Sequence, residues 1–532
     1  MAETFEAVIV GAGFAGLYML HRLRRSGLRT IVLEAAADVG GTWYWNRYPG
    51  ARCDVESLQY SYSFDEQLQQ DWHWTERYAA QPEILRYINH VADRFDLRRD
   101  IRFDRRVTEM RWEDESRSWH VRTDRGEELT ARFAIMATGC LSVARAPEIP
   151  GLQDFRGQKY YTGVWPHHPV SFVGRSVGVI GTGSSGIQVI PAVAEEADHL
   201  TVFQRTANFS LPARNAPLEP EREIAWKREY RARRDRARKT ERALLMRTEP
   251  TLSVLKVEPA RRERIFSESW QLGGLDFMRS FTDLTTDEKA NAIAADYVRA
   301  RIEETVKDPH TAEALKPRNF PIGGRRICLD TEYFETFNRP NVTLIDLQAE
   351  PIVGMTGTGV ETSRRHYDLD AIVFATGFDA MIGALSAIHI VGRNETLVEK
   401  WARGIKDHLG LMPAGFPNFF TVNGPGSPGV LCNVVIAIEQ HVEWIADCID
   451  HLCQNSLRAI ESNSEDEDRW FDYANEIASR TMFMKAKNSW HVSPPAPGRQ
   501  RALMPFAGSF ADYAEICRNV ASDGYRGFRL ER

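Results

Sequence analysis

The sequence predicts an α/β fold built from two Rossmann-like units, with a helical insertion in the second unit. Two glycine-rich motifs carry this prediction, GAGFAG at residues 11–16 and GTGSSG at residues 181–186. Each motif follows a short apolar run typical of a buried strand, and each precedes a run whose apolar residues recur at helical spacing. Residues 221–320 show helical patterns and no strand pattern, which places the insertion after the second motif.

Length and composition indicate a globular chain of two or three domains. The chain has 532 residues, of which 43% are hydrophobic and 26% are charged, and its net charge is −6. This balance lacks the basic excess of nucleic-acid-binding proteins. No uncharged apolar run approaches the roughly 18 residues of a membrane span. We therefore expect no nucleic-acid partner and no membrane association.

The cysteines and the start of the sequence predict a reducing compartment. The seven cysteines are scattered and form neither a CxxC motif nor a zinc ligand cluster. The first residues lead directly into a strand, without a basic secretory leader. We therefore expect a cytoplasmic protein with no metal site.

The first glycine motif has every part of a dinucleotide-binding fingerprint. The predicted strand Phe5–Val10 leads into the motif, a helix follows it, and the second strand, residues 29–33, ends at Glu34. An acid at this place holds the ribose 2′-hydroxyl of a dinucleotide, and the adenosine ribose of FAD has that hydroxyl free. The motif residues expected at this cofactor are Gly11, Gly13, Phe14, Ala15 and Gly16.

The second glycine motif ends in a basic residue where the first ends in an acid. The run Val177–Ile180 predicts the strand, and the helix is expected from Ile187 onward. About twenty residues later the chain carries Arg205 and Thr206, and a guanidinium suits the 2′-phosphate of NADPH. The motif residues expected at this cofactor are Gly181, Thr182, Gly183, Ser184, Ser185, Gly186 and Ile187.

One acidic and one basic fingerprint in the same chain imply two cofactors, FAD and NADPH, and therefore a flavoprotein that takes hydride from NADPH. Two strand-to-glycine segments, residues 133–139 and 371–377, mark the crossings between the two dinucleotide domains. The expected divisions are 1–142 and 379–532 for the FAD-binding domain, 143–211 and 323–378 for the NADPH-binding domain, and 212–322 for the helical insertion; the last range, 379–532, also contains the substrate-pocket loops and a lid.

The loop at residues 40–54, GGTWYWNRYPGARCD, follows the FAD strand and is rich in aromatic residues. One interpretation is that Trp43 and Trp45 only pack over the FAD domain and have no other role. The carboxylate of Asp54 is harder to explain by packing, because it follows a Pro-Gly turn that would lie near the flavin.

These motifs resemble those of the Baeyer–Villiger monooxygenases, FAD- and NADPH-dependent flavoproteins that turn ketones into esters or lactones. The family pattern F-x-G-x-x-x-H-x-x-x-W-P is matched at Phe155, Gly157, Trp165 and Pro166, whereas Tyr161 stands in place of the histidine. The pattern G-G-x-W-x-x-x-x-Y-P-G-x-x-x-D is matched in full by residues 40–54. The resemblance covers nearly the whole chain and implies oxidation through an FAD C4a-peroxyflavin, with O2 as the second substrate.

The resemblance also assigns site residues. It implies that Arg326, in the GGRR motif, is the catalytic arginine, that Asp54 orients it, and that Trp490 is the lid residue of segment 488–499. Further cofactor-binding residues implied are Gly41, Thr42, Trp43, Arg52, Cys53, Tyr60, Val107, Arg205, Thr206, Arg325 and Val434. The substrate residues implied are Leu141, Gly429, Val430 and Leu431.

Three other functions remain open from the sequence. An N- or S-oxidising flavin monooxygenase would share both fingerprints but would not be expected to carry the complete 40–54 pattern together with the GGRR arginine. An NADPH-dependent disulfide reductase needs a cysteine pair near the first motif, where only Cys53 lies; Cys448 and Cys453 fall in a predicted helix, where they point apart. A non-catalytic flavoprotein would not need Asp54, Arg326 and Trp490 together. We expect a monomer that acts on a small-molecule ketone.

Overall fold

Two sheets rich in parallel strands carry the two glycine motifs, which confirms the predicted α/β class with two Rossmann-like units. The structure is a computed structural model that describes residues 3–486, 489–493 and 501–532. Its strands are β1 (Glu3–Val10), β2 (Thr30–Leu33), β3 (Ile101–Arg102), β4 (Val107–Glu113), β5 (Ser118–Thr123), β6 (Glu128–Met136), β7 (Gln158–Tyr161), β8 (Ser176–Ile180), β9 (His199–Gln204), β10 (Ser210–Pro212), β11 (Cys328–Asp330), β12 (Val342–Asp346), β13 (Ile352–Met355), β14 (Gly359–Thr362), β15 (His366–Asp368), β16 (Ala371–Phe374), β17 (His389–Val391), β18 (Phe419–Thr421), β19 (Ala459–Ser462) and β20 (Phe528–Glu531).

The helices lie on the sheets and in the segment between β10 and β11. They are α1 (Phe14–Arg25), α2 (Thr42–Trp45), α3 (Glu66–Asp71), α4 (Gln81–Arg94), α5 (Ser184–Glu196), α6 (Pro220–Arg228), α7 (Tyr230–Ala237), α8 (Pro259–Leu272), α9 (Glu288–Thr305), α10 (Pro309–Leu315), α11 (Tyr333–Thr336), α12 (Gly383–Ser386), α13 (Leu397–Arg403), α14 (Val434–Gln454), α15 (Ser464–Ser479) and α16 (Phe510–Ser522). Among the described residues, no helix is long and apolar enough to cross a membrane.

The first sheet has eight strands in the order β17-β4-β5-β6-β1-β2-β3, with β18 beside β6. Its central strand β1 pairs in parallel with β2 and β6, and its residues Ala7, Val8 and Ile9 are fully buried. Such a buried parallel strand explains the continuous apolar run before the first motif. The motif therefore lies at the carboxyl end of β1, where ligands of Rossmann-like sheets bind.

The second sheet has five parallel strands in the order β12-β9-β8-β16-β7. Its strand β8 leads into the second motif and has β16, from residues 371–374, as its neighbour. The two sheets thus draw on separate parts of the chain, as the predicted divisions require. The boundaries of those divisions stay a prediction.

The helical segment between β10 and β11 also contributes side chains to the apolar core of the first domain. Strands β10 and β11 pair in parallel and close the base of the segment. The charged run 221–247 has a composition typical of a solvated helix face, yet α7 within it buries Tyr230, Arg234 and Ala237. Arg234 is 5% exposed, and its guanidinium donates to the carbonyl oxygens of Gln59 (2.7 Å) and Leu58 (3.2 Å). Trp226 and Tyr230 pack in the same apolar core as β1 and α1.

Residues 66–97, whose pattern is largely helical, form two helices and not one. The structure has α3 and α4, separated by residues 72–80. Trp72 and Trp74 in this connection pack their rings against Tyr87 of α4, at centroid distances of 5.3 and 5.2 Å. Tertiary packing of these aromatic rings therefore overrides local helical periodicity.

The loop 40–54 joins the two dinucleotide units through α5. The Tyr48 hydroxyl donates to Gln188 Oε1 (2.8 Å), and Gln188 Nε2 donates to the Arg52 carbonyl oxygen (2.9 Å). Gly50 has φ +83°, and a Cβ added there would lie 2.2 Å from the Gln188 carbonyl oxygen. Only glycine permits this close approach of the loop to the helix.

We predict that Gly50→Ala lowers the thermal unfolding midpoint clearly more than Gly27→Ala. Gly27 has a similar φ of +77° but no atom within 4 Å of an added Cβ, so its substitution costs only the conformational strain, about 1–2 kcal/mol. At Gly50 a clash with the backbone of α5 adds to that strain. Differential scanning calorimetry of both variants measures the difference. Equal midpoints would contradict a tight contact between the loop and α5.

Candidate active site and cofactor-binding sites

The first glycine motif leaves the beginning of α1 open for an anion. Gly13 is the N-cap of α1 without a side-chain cap, and the first helical bond runs from Leu17 N to the Gly13 carbonyl oxygen (3.1 Å). The three amides before Leu17 therefore have no partner within the helix. A Cβ at Gly41 would lie 3.0 Å from Gly13 Cα, so two glycines face each other at this helix end. These features fit the pyrophosphate of FAD.

Glu34 lies where the fingerprint predicts it, just beyond β2. It is 4% exposed, and its carboxylate accepts hydrogen bonds from the amides of Ala12 (2.5 Å) and Ala36 (2.7 Å). Burial raises the pKa of Glu34, while the two amide bonds act in the opposite direction. The bonds fix the carboxylate beside the motif, where a ribose hydroxyl would meet it.

Aromatic residues form the wall next to the first motif. Trp43 Nε1 donates to the Tyr60 hydroxyl (3.2 Å), and both side chains are buried. The Phe14 ring packs edge-on against Tyr60 at 5.4 Å. Three other predicted cofactor-binding residues begin secondary-structure elements: Thr42 begins α2, Val107 begins β4, and Val434 begins α14. Ala15, Gly16 and Gly11 complete the turn into α1.

The second motif repeats this geometry at α5. We expected the helix from Ile187, whereas the structure begins it at Ser184. Ile187 is the first residue whose amide is bonded within the helix, to the Gly183 carbonyl oxygen at 2.8 Å. The amides of Ser184, Ser185 and Gly186 are therefore left for an anion. A Cβ at Gly183 would meet no atom within 4 Å, so open space lies in front of this helix end.

Two arginines, Arg205 and Arg325, lie where the adenosine end of the second dinucleotide is expected. Thr182 Oγ1 donates to the Thr206 carbonyl oxygen (3.1 Å), which ties the motif to the end of β9. Arg205 is exposed, and Arg325 lies over the Phe320 ring at 4.3 Å. Burial and the positive charge of Arg205 lower the pKa of Arg325. Two guanidinium groups close enough to repel each other fit a doubly charged 2′-phosphate.

Arg326 and Asp54 form a bidentate ion pair between the two cofactor sites. Arg326 Nε lies 3.0 Å from Asp54 Oδ2, and Arg326 Nη2 lies 2.7 Å from both carboxylate oxygens. Arg326 Nη1 donates to the Val430 carbonyl oxygen at 2.9 Å. The side chain of Arg326 is 34% exposed, so it still faces the open site. The charge of Asp54 raises the pKa of Arg326 above its ordinary value, so the guanidinium stays charged.

The thiols around Arg326 stay protonated. Burial raises the pKa of Cys140 and of Cys328 to about 11 and that of Cys432 to about 12. Burial likewise raises the pKa of Cys53 well above its ordinary value. All seven cysteines are free; Cys448 is buried and Cys453 is exposed. No redox disulfide is therefore formed next to the first motif.

Of the predicted substrate residues, Val430 contacts Arg326 through its carbonyl oxygen, and Val430 and Leu431 belong to an apolar cluster. Gly429–Leu431 forms one 3₁₀ turn, and Val430 is 8% exposed. Leu431 and Trp490 pack against the apolar cluster that contains Val430 and Met504. Leu141 is half-buried and follows Cys140, which packs in the same cluster. Most of the predicted lid, residues 488 and 494–499, lies outside the described residues.

Several contacts of the site were not predicted from the sequence. Arg52, one of the cofactor-binding residues that the resemblance implies, has its guanidinium bonded to Glu76 and to the Tyr78 carbonyl oxygen. Gln188 on α5 holds the loop, and His491 lies buried next to Trp490. Arg52 lies within the 40–54 pattern and His491 within the predicted lid segment, but neither pattern specifies these contacts, which follow only from the fold.

Tyr161, which replaces the motif histidine, lies at the carboxyl end of β7. Its ring stacks on Phe374 of β16 at 4.9 Å. Trp165 of the same motif is buried, and its amide donates to the Trp45 carbonyl oxygen (3.3 Å). The motif therefore contacts both dinucleotide units. A separate cleft of about 570 Å³ lies beside Trp165 and is not lined by Arg326 or Asp54.

Known proteins resemble the whole chain. Residues 8–224 match the family described as pyridine nucleotide-disulphide oxidoreductase. The chain is 38% identical to 2-oxo-Delta(3)-4,5,5-trimethylcyclopentenylacetyl-CoA monooxygenase of Pseudomonas putida, over 99% of both chains. It is 39% identical to a Baeyer–Villiger monooxygenase of Pseudooceanicola batsensis, over 99% of this chain and 96% of that one. It is 40% identical to a phenazine N-monooxygenase of Lysobacter antibioticus, over 99% of this chain and 97% of that one.

Solved structures agree with these relatives. The fold superposes with a TM-score of 0.94 on an oxidised steroid monooxygenase bound to NADP. The two chains are 49% identical, and the match covers 99% of each. It superposes with a TM-score of 0.95 on a complex of OTEMO with FAD and NADP, which is 38% identical over 100% of both chains. Two dinucleotides thus occupy this fold in a structural relative.

We predict that Arg205→Ala weakens NADPH binding about 10- to 100-fold and leaves NADH binding unchanged. The variant loses a charge-assisted bond worth about 1.5–3 kcal/mol, which only the 2′-phosphate makes. Calorimetric titration of both cofactors measures the two dissociation constants. Arg364→Ala, at an exposed turn between β14 and β15, is the control. An equal loss for NADPH and NADH would contradict recognition of the 2′-phosphate by Arg205.

Proposed function

Because the chain belongs to the Baeyer–Villiger monooxygenases, FAD-dependent class B flavoprotein monooxygenases, we propose that it oxidises ketones to esters or lactones with NADPH and O2. The observation that carries this function is the ion pair of Arg326 and Asp54. It occurs together with two helices, α1 and α5, whose N-termini have no side-chain cap. FAD, when bound, supplies the chemistry that no side chain has: it accepts hydride from NADPH and activates O2.

Arg326 supplies a permanent positive charge to the reaction. A guanidinium has five N–H donors, and Asp54 and Val430 engage donors on all three of its nitrogens. The second hydrogen on Nη1 is not used by Asp54 or Val430 and can meet negative charge that develops on the reacting oxygens. A preorganised charge of this kind, aimed at the transition state, is usually a large catalytic contribution.

Asp54 and the Val430 carbonyl act as positioning groups for Arg326. Nε and Nη2 both contact the Asp54 carboxylate, which fixes the plane of the guanidinium, and the contact of Nη1 with the Val430 carbonyl fixes its direction. The Val430 contact also ties the arginine to the turn that lies beside the substrate. Substrate shape and arginine position are therefore mechanically connected through residues 429–431.

The apolar wall around Arg326 keeps water away from the reacting groups. Val430 and Met504 are buried, and Leu431 and Trp490 pack against them. A water-poor site strengthens the interaction of Arg326 with negative charge and limits the loss of activated oxygen as peroxide. The same wall suits a substrate that is apolar apart from its carbonyl group.

Relatives suggest the first substrates to test. Cyclohexanone 1,2-monooxygenase of Acinetobacter and the steroid monooxygenase are named for cyclic and steroid ketones, and we propose such ketones as substrates here. A second candidate is oxidation at nitrogen, because the phenazine N-monooxygenase aligns over 99% of this chain. A panel of cyclic ketones, steroid ketones and phenazine, with products identified by mass spectrometry, separates the two.

We also propose that the enzyme is a monomer in the cytoplasm. Arg326, Asp54 and Val430 come from one chain, so the site needs no partner subunit. Seven free cysteines suit a reducing compartment. The residue roles and the domain boundaries predicted from the sequence are part of this proposal. Mass photometry of the purified protein tests the oligomeric state.

We predict that Arg326→Ala still consumes NADPH but forms about 10²- to 10³-fold less ester, because it removes a charge that stabilises the transition state. Arg326→Lys should recover only part of the yield, since an ammonium cannot contact both Asp54 oxygens and Val430 in a fixed plane. NADPH consumption is followed by absorbance and ester by gas chromatography. Ester formation by Arg326→Ala at the wild-type rate would remove Arg326 from this role.

A further inference from the structure

His491 is a buried histidine in the described segment 489–493. The side chain is fully buried, and neither ring nitrogen has a hydrogen-bond partner among the described residues. A buried nitrogen without a partner costs about 1–3 kcal/mol. Neither nitrogen is open to solvent. Such a group in a native fold points to a partner that binds.

His441 shows what a satisfied histidine looks like in the same chain. It is also fully buried, and burial lowers its pKa to about 3, as for His491. Its Nδ1 accepts from the Asn423 amide (3.0 Å), and its Nε2 lies 2.8 Å from the Tyr513 hydroxyl. Both histidines are neutral at physiological pH, and only one of them is bonded. His90 and His408 each have one buried ring nitrogen without a partner, whereas in His491 both ring nitrogens lack one among the described residues.

The backbone holds His491 at the apolar wall beside Arg326. The Met504 amide donates to the His491 carbonyl oxygen (2.7 Å), and Met504 packs in the cluster that contains Val430. The ring centroid of His491 lies 3.9 Å from that of Trp490. The charge of Arg326 contributes, after burial, to the lowered pKa of His491. The unbonded imidazole therefore belongs to the active-site region.

The geometry of α5 decides which part of the NADP molecule reaches this region. A pyrophosphate at the beginning of α5 has Arg205 and Thr206 on its adenosine side. In the other direction, Ser184 Oγ lies 3.0 Å from Cys328 Sγ, and that thiol in turn contacts the Arg326 carbonyl oxygen at 3.7 Å. This path leads from the helix end to Arg326, so the nicotinamide half extends toward Arg326 and His491.

We propose that His491 forms a hydrogen bond to the nicotinamide half of bound NADP, an inference that rests on the proposed function. A neutral imidazole offers one donor and one acceptor, and the carboxamide and ribose hydroxyls of this half offer complementary groups. Because the ring nitrogens are closed to solvent, the ligand must displace segment 489–493 to reach them. Binding of the nicotinamide half then gives the unbonded ring nitrogens hydrogen-bond partners.

The test compares two ligands on the FAD-loaded protein by calorimetric titration. NADP⁺ carries the nicotinamide half, and adenosine 2′,5′-bisphosphate lacks it. His491→Phe should weaken NADP⁺ binding about five- to tenfold, the effect of losing one neutral hydrogen bond, and leave the bisphosphate unchanged. His491→Gln, which keeps a donor and an acceptor, should restore most of the affinity. His441→Phe is the matched control, expected to lower the thermal midpoint without changing the ratio of the two affinities.

The thermal midpoint of His491→Phe without NADP⁺ adds a second readout. It should equal or exceed that of the wild type, because the variant removes an unbonded buried group. Unchanged NADP⁺ affinity in a folded His491→Phe protein would overturn the inference. Equal losses for NADP⁺ and the bisphosphate would overturn it as well. Failure of the wild type itself to bind NADP⁺ would instead overturn the proposed function.

Discussion

The ion pair between Arg326 and Asp54 is the contact on which the organisation of the molecule depends. Its members lie 272 residues apart, one in the loop after the first motif and one after the helical segment. The pair therefore forms only when both dinucleotide units and the segment between β10 and β11 have folded. Breaking it would leave a charge without its partner in a partly enclosed site, which is costly. The same contact positions the guanidinium charge that the proposed reaction uses.

Helix α5 connects cofactor binding with this pair. Its bare beginning faces the predicted pyrophosphate site, and Gln188 on its next turn bonds to the loop that ends in Asp54. Gly50 allows the loop to lie directly on the helix. A shift of α5 would consequently move Asp54 relative to Arg326. On the other side, the Val430 carbonyl connects the arginine to the turn beside the substrate. The position of one guanidinium thus depends on both ligand-binding regions.

The glycine motifs could be predicted because the backbone geometry they serve excludes other residues. A Cβ at Gly16 would lie 1.8 Å from the Gly11 carbonyl oxygen, and one at Gly186 would lie 2.2 Å from that of Gly181. Contacts that depend on tertiary structure could not be predicted from the sequence. The charged run around Arg234 has the composition of a solvated helix, yet its guanidinium is buried against backbone carbonyl groups of residues 58 and 59. A backbone oxygen such as that of Val430, or an unbonded ring such as that of His491, leaves no pattern in the sequence.

The measurement that tests the central claim most directly is a double-mutant cycle on Asp54 and Arg326. Ester formed per NADPH consumed is determined for the wild type, Asp54→Asn, Arg326→Lys and the double variant. If Asp54 acts by positioning Arg326, the double variant should be no worse than Arg326→Lys alone, because the two residues act as one unit. If the two losses multiply, each residue contributes separately to the reaction, and the ion pair is not the organising contact of the site.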